Sequence, residues 1–225
     1  MRFPKLVLLL CAAAWAITPQ AQVQGGIFTL TNATSGIFDA SSGTRSVTVT
    51  GLEVGFDGGV LTNITVAIDY LKADGEAADP PPPPPLPGSP FFNEIHFRLD
   101  RAANPSTELI AAGHYGVGGA GDFFSGIQTF ATGGAIIPAG GSPVAGTFAP
   151  TGPGSLAAYN GASALGVWTL FVEDTVGLDA LRFRSVTFTF TTESAAVPEP
   201  SSCAILGAGV VGLLGFCRRR RQLAA

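Results

Sequence analysis

The middle of this chain is predicted to be all-β. Three observations point that way. Glycine and proline, 30 and 17 of the 225 residues, break it up every few positions. No stretch holds a helical period for three turns. Several stretches instead alternate apolar and polar residues with a period of two, which puts one side of a strand in a core and the other in water.

The strands can be read in order. Val47, Val49, Leu52 and Val54 predict one strand, or a bent pair around Gly51. Residues 60–70 alternate cleanly, with Ile64, Val66, Ile68 and Tyr70 on one face and Thr65, Ala67 and Asp69 on the other. Residues 80–85 are six consecutive prolines, extended by Leu86-Pro87-Gly88. Without amide donors they predict a surface polyproline II segment, read as a stiff loop between strands. Residues 93–100 alternate again, with Ile95, Phe97 and Leu99 inward and Glu94, His96 and Arg98 outward. Residues 116–126 and 131–154 are rich in Gly, Pro and Ser and read as loops. The first lacks a following helix and a Lys-Ser/Thr pair, so it is no phosphate cradle.

Gly166–Asp174 is apolar on both faces, as a central strand requires. Trp168 is its core anchor, expected to be mostly buried beneath neighbours on the Phe171 and Phe188 sides. In residues 181–192 the apolar parity changes, from Leu181 and Phe183 to Val186, Phe188 and Phe190. A bulge or kink at Arg184-Ser185 is therefore expected.

Both ends read as targeting segments. In residues 1–21, Arg2 and Lys5 precede an apolar run over 6–14 and the small-x-small site Ala14-Trp15-Ala16, with Ala21 as a second cleavage candidate. This is a signal peptide. Cys11 does not mark a lipoprotein, because Leu10 before it is too large. Residues 197–225 hold Val197-Pro198-Glu199-Pro200, an apolar run over 203–217 and Arg218, Arg219, Arg220 and Arg221. The prolines exclude helix, and the arginines are retained on the cytoplasmic side. Fifteen helical residues at ~1.5 Å each reach ~22 Å, short of a ~30 Å hydrocarbon core. A transient transmembrane sorting helix fits that length better than a permanent anchor.

The order Pro-Glu-Pro, short Gly/Ala-rich span and Arg cluster resembles the PEP-CTERM sorting signal. The resemblance implies export, recognition by a membrane exosortase, cleavage near 198–200, and release or attachment at the cell surface. It also implies bacteria that make exopolysaccharide.

The domain between, residues 22–196, is long enough for one full core. The three cysteines are Cys11, Cys203 and Cys217, so this domain has no disulfide and no thiolate chemistry. It carries six basic and fifteen acidic residues, a net charge near −9. Nothing there would neutralise phosphates, so nucleic acid is not an expected partner.

Leu156-Ala157-Ala158-Tyr159-Asn160-Gly161, Gly166-Val167-Trp168-Thr169-Leu170-Phe171-Val172-Glu173-Asp174 and Val186-Thr187-Phe188-Thr189-Phe190 resemble the ending of the P domain, or Homo B, of kexin-like proteases. The similarity spans about residues 26–192. It implies a jelly-roll-like β-sandwich, a non-catalytic module, and structural calcium. Asp69-Tyr70 stands where the family has a histidine, and the six prolines are an insertion.

Chemistry is sparse. His96 and His114 are the only two histidines, and no Gly-x-Ser-x-Gly elbow occurs. Two histidines without cysteine do not make a zinc site. Oxygen donors suit calcium better, although no Asp-x-Asp-x-Asp-Gly spacing defines a cage. The candidate ligands are Asp69, Glu94, Asp174 and Asp179. Asp69 and Glu94 come first, on strands expected side by side around the proline loop.

The sequence thus predicts an exported, non-catalytic surface or matrix protein, structural or binding, associated with exopolysaccharide. Its partners are the exosortase and the inner membrane during processing. The alternatives are a carbohydrate-binding module, a secreted hydrolase using His96 or His114, and a protease-associated accessory domain.

Overall fold

In several segments large apolar side chains alternate with polar ones, as in residues 60–70 and 186–192, and this alternation divides a strand between core and water. The computed structural model describes residues 25–51, 59–74, 88–102 and 104–193. The signal peptide, Leu52 and Val54, the six prolines and the sorting tail lie outside the described residues.

The described residues form ten strands: β1 (Ile27–Asn32), β2 (Gly36–Phe38), β3 (Ser41–Val49), β4 (Val60–Ala73), β5 (Ile95–Arg101), β6 (Thr107–Ile110), β7 (Phe123–Ala135), β8 (Gly146–Phe148), β9 (Gly166–Asp174) and β10 (Leu181–Glu193). Two short 3-10 turns accompany them, at Phe92–Glu94 and Leu156–Tyr159. The strands make two sheets. One runs β1-β10-β4-β7-β8, with β2 also on β10; the other runs β3-β9-β5-β6. All pairings are antiparallel except β7 with β8.

Both sheets contribute to one core. The larger supplies Ile64, Val66, Ile68, Tyr70, Phe130, Val186, Phe188 and Phe190; the smaller supplies Val47, Val49, Ile95, Phe97, Leu99, Trp168, Leu170 and Val172. Rings meet across the interface, Tyr70 to Phe97 at 5.1 Å and Trp168 to Phe190 at 5.2 Å between centroids. Each such side chain contributes about 1.5–3 kcal/mol by leaving water.

The expected strands over residues 60–70 and 93–100 are present as β4 and β5, with their predicted apolar faces buried. β9 lies between β3 and β5, the central position expected, but only one of its faces is buried: Trp168, Leu170 and Val172 point into the core, and Val167 is 50% exposed. The parity change in β10 is a bulge. Phe183 pairs with Tyr70 and Ser185 with Asp69, leaving Arg184 unmatched in the register. Phe183 and Val186 both stay buried as a result.

Four expectations need correction. Residues 123–135, read largely as loop, are the long strand β7. Its glycines are strand glycines: a Cβ on Gly134 would stand 2.2 Å from the Phe148 backbone of β8. An inward glutamine also hid the alternation. Gln128 is fully buried, held by Tyr70, Tyr115 and the Val144 carbonyl at 2.7–3.0 Å. Burial pushes the Tyr115 hydroxyl up to about 12, and the Tyr70 hydroxyl well above its ordinary value.

Glu94 does not face outward. It ends the 3-10 turn before β5, so the strand alternation does not reach back to it, and it is buried. The strands carrying Asp69 and Glu94 are not neighbours: β4 and β5 belong to different sheets. Trp168 is fully buried, with Phe190 beside it on the Phe188 side as expected and Tyr159 as its other ring neighbour; Phe171 is not among them, since it lies on the other face of β9, under the Arg98 guanidinium at 4.6 Å.

Candidate functional site

The densest charged cluster in the described structure is buried between the sheets. Lys72 follows Ile68 and Tyr70 at the inward parity of β4, so the strand carries its ammonium into the interior. There Lys72 Nζ lies 2.8 Å from Asp174 Oδ2, 3.2 Å from Glu94 Oε2 and 3.3 Å from Asp179 Oδ2. It also donates to the Asp179 backbone carbonyl. The four side chains are at most 7% exposed.

Asp174 ends β9, Glu94 precedes β5, and Asp179 sits in the turn before β10, so four separate segments converge. Backbone donors complete part of the set: Leu181 N–H donates to Asp174 Oδ2 at 3.0 Å, and Phe91 N–H donates to Asp179 Oδ2. Asp174 Oδ1 and Asp179 Oδ1 are buried without a hydrogen-bond partner.

Three carboxyl groups around one ammonium cannot all be comfortably charged in a low-dielectric site. Burial pushes Glu94 from its ordinary 4.5 to about 7; the Lys72 charge opposes this, and the hydrogen bond and negative charge of Asp179 add to it. Burial likewise raises Asp174, against the pull of Lys72.

The sign for stability follows from proton binding. Between 4.5 and about 7 the folded state holds a proton on Glu94 that the unfolded chain gives up. Stability is therefore highest below that window, falls as pH rises through it, and is level above it. Allowing for residual screening, the fall is on the order of 2 kcal/mol. Denaturant unfolding at about pH 5 and about pH 8 measures it, and Glu94→Gln should reduce the slope. Stability that rose across this window would contradict the assignment.

Three of the four proposed calcium ligands, Glu94, Asp174 and Asp179, do come together, but on an amine. The Lys72 ammonium occupies the centre that a metal would need, and the donor set does not fit calcium. Asp69 is elsewhere, on the outer face of β4, paired with Arg184 at 3.2 Å. The Asp69–Glu94 pairing is thus corrected by topology: Asp69 pairs with Arg184, and Glu94 shares Lys72 with two aspartates. Among the described residues no three His, Cys, Asp or Glu side chains are arranged to share a metal ion.

The histidines are bound into the structure. His96 is on the outer face of β5, yet it is not a free solvated ring. Its Nδ1 lies 2.9 Å from Glu173 Oε2 on β9, and its Nε2 is bonded to Glu108 Oε2 on β6. His114 Nε2 lies 3.2 Å from the Ile137 carbonyl. A shallow depression of about 420 Å³ between β1 and β3 is lined by residues such as Asn32, Thr34 and Ser46, with no ionisable side chain.

Lys72, Gln128 and Glu108 do not stand out in the sequence. Lys72 is within reach of it, because the parity of β4 extended by two residues points it inward. Glu108 and Glu173 reach His96 only through strand register, which local sequence does not contain.

No helix among the described residues is long and apolar enough to cross a membrane, and residues 203–217 lie outside them. No curated protein matches the chain. Two solved structures are similar to it at a distance. FLHE is 11% identical, with 76% of this chain and 98% of that one covered and a TM-score of 0.34. The serine protease of Aeromonas sobria in complex with the chaperone ORF2 is 12% identical, with 83% of this chain and 29% of that one covered and a TM-score of 0.35. Neither likeness carries an argument. Residues 196–221, by contrast, match the PEP-CTERM protein-sorting motif, which marks an exported protein for processing by an exosortase.

Proposed function

We propose that this chain is an exported, non-catalytic surface or extracellular-matrix protein, built on one P-domain-like, jelly-roll-like domain and associated with exopolysaccharide. The observation that carries the reading is the sorting motif at residues 196–221. The domain supports it in two ways. Its ionisable clusters are engaged with one another: Lys72 with three carboxyl groups, His96 with two, and Asp69 with Arg184. Its net charge near −9 suits a soluble, hydrated surface layer.

In this reading residues 1–21 direct export, residues 203–217 hold the protein in the inner membrane, and cleavage near Pro198–Pro200 releases the domain. Mature protein from wild-type cells should end near residues 197–200, and cells lacking the exosortase should retain the full tail. Intact mass decides this: residues 201–225 still attached in wild-type cells would refute it. Co-sedimentation of the mature protein with purified exopolysaccharide tests the association separately, and no binding would remove that part alone.

A further inference from the structure

We propose that Lys72 and Asp174 condense into an intramolecular isopeptide bond, assisted by Glu94, which ties β4 of one sheet covalently to β9 of the other. The reacting groups are already in place. Lys72 Nζ and Asp174 Oδ2 are 2.8 Å apart, and both side chains are fully buried. An intramolecular pair needs no diffusional encounter, and such pairs reach effective concentrations of up to ~10⁵–10⁸ M once the nucleophile is aligned on the carbon. The low-dielectric surroundings penalise the separated charges of an ion pair and not a neutral amide.

The two oxygens of Asp174 are differentiated. Oδ2 accepts the Leu181 N–H at 3.0 Å, a fixed dipole that would stabilise negative charge on that oxygen as the carbon becomes tetrahedral. Oδ1 has no partner to hold it and is the oxygen free to leave. Glu94 Oε2 lies 3.2 Å from the same Nζ. It can accept a proton from the ammonium and return it to the departing oxygen. Its carboxyl, raised to about 7 by burial, exchanges protons near neutrality.

The step balances without any co-reactant. The bond between Nζ and Cγ of Asp174 forms, and the bond between Cγ and Oδ1 breaks. Two ammonium protons leave with Oδ1 as water, and the third stays on the amide nitrogen. That N–H remains beside the Asp179 carbonyl, which already accepts from Nζ. The partners are 102 residues apart in sequence, and residues 22–196 contain no cysteine. The bond would give the domain the covalent closure that a disulfide gives other exported domains.

Mass spectrometry on the full chain, purified and denatured, tests this directly. The expected intact mass is lower than the sequence mass by one water, beyond any terminal processing. After digestion, a branched peptide should join Lys72 to Asp174, and trypsin should not cut after Lys72. Lys72→Met and Asp174→Ala should restore the full mass. Glu94→Gln should keep the fold and slow bond formation at least tenfold. A wild-type chain of full mass with Lys72 cleavable overturns the proposal, whatever the variants do. A water lost between another pair of residues overturns the assignment, and wild-type yield in Glu94→Gln overturns the role of Glu94.

Discussion

Relative to the uncondensed chain, in which Lys72 still carries its charge, replacing Lys72 by methionine should lower the unfolding free energy by about 3–5 kcal/mol at neutral pH. Methionine fills much the same space, so the effect is chiefly electrostatic. Glu94, Asp174 and Asp179 would remain buried with no cation among them, and the two aspartates would keep only the Leu181 and Phe91 N–H donors on Oδ2 while their Oδ1 atoms stay without a partner. An uncompensated buried charge costs far more than the ion pair gains, so removing one member is worse than removing all.

Two corollaries separate this from a packing defect. The loss should shrink toward acid pH, where the carboxyl groups take up protons in place of the ammonium. Adding Glu94→Gln, Asp174→Asn and Asp179→Asn to Lys72→Met should recover part of it. Denaturant unfolding at two pH values measures both. A pH-independent loss would mean that Lys72 acts through its methylenes.

Much of the domain was legible because a strand has a short period. Six or seven residues are enough to reveal alternation, and it identified β4, β5 and both flanks of the bulge in β10 without any partner strand. The bulge was the clearest case, since an extra residue in the strand is what lets Phe183 and Val186 both turn toward the core. The sorting tail was legible for a different reason: its three parts are read in linear order.

What failed depended on contacts between distant segments. Glu94 looked outward because a 3-10 turn interrupts the alternation just where the strand begins. β7 looked like loop because glycines and one buried glutamine replaced its apolar residues. The candidate calcium ligands were chosen as oxygen donors near loops or strand ends, and three of the four do converge, although the preferred Asp69–Glu94 pair does not. What lies among them is decided by the inward parity of β4, two residues beyond where the predicted strand ended.

Trp168→Ala should cost about 3–5 kcal/mol, the usual loss for a large aromatic in a packed core. Trp168 is fully buried on the central strand of the smaller sheet. It bridges three elements. Its ring lies 5.2 Å from Tyr159 in the second 3-10 turn and 5.2 Å from Phe190 on β10 of the opposite sheet. Its Nε1–H donates to the Ala164 carbonyl at 3.0 Å, and the Arg101 guanidinium covers the ring at 4.5 Å from the centroid. Alanine would leave a cavity between the two sheets, where neither can collapse without the other moving.

Trp168→Phe separates the contributions. It retains most of the ring contact with Tyr159 and Phe190 but removes the indole donor, and should cost about 1–2 kcal/mol for the orphaned Ala164 carbonyl and the smaller ring. The only other tryptophan, Trp15, is in the predicted signal peptide, so fluorescence of the processed domain reports Trp168 alone. The wild-type emission should shift to longer wavelength in a single transition coincident with loss of β-sheet circular dichroism. An alanine variant with an unchanged denaturation midpoint would mean that the sheets are not held together through this residue.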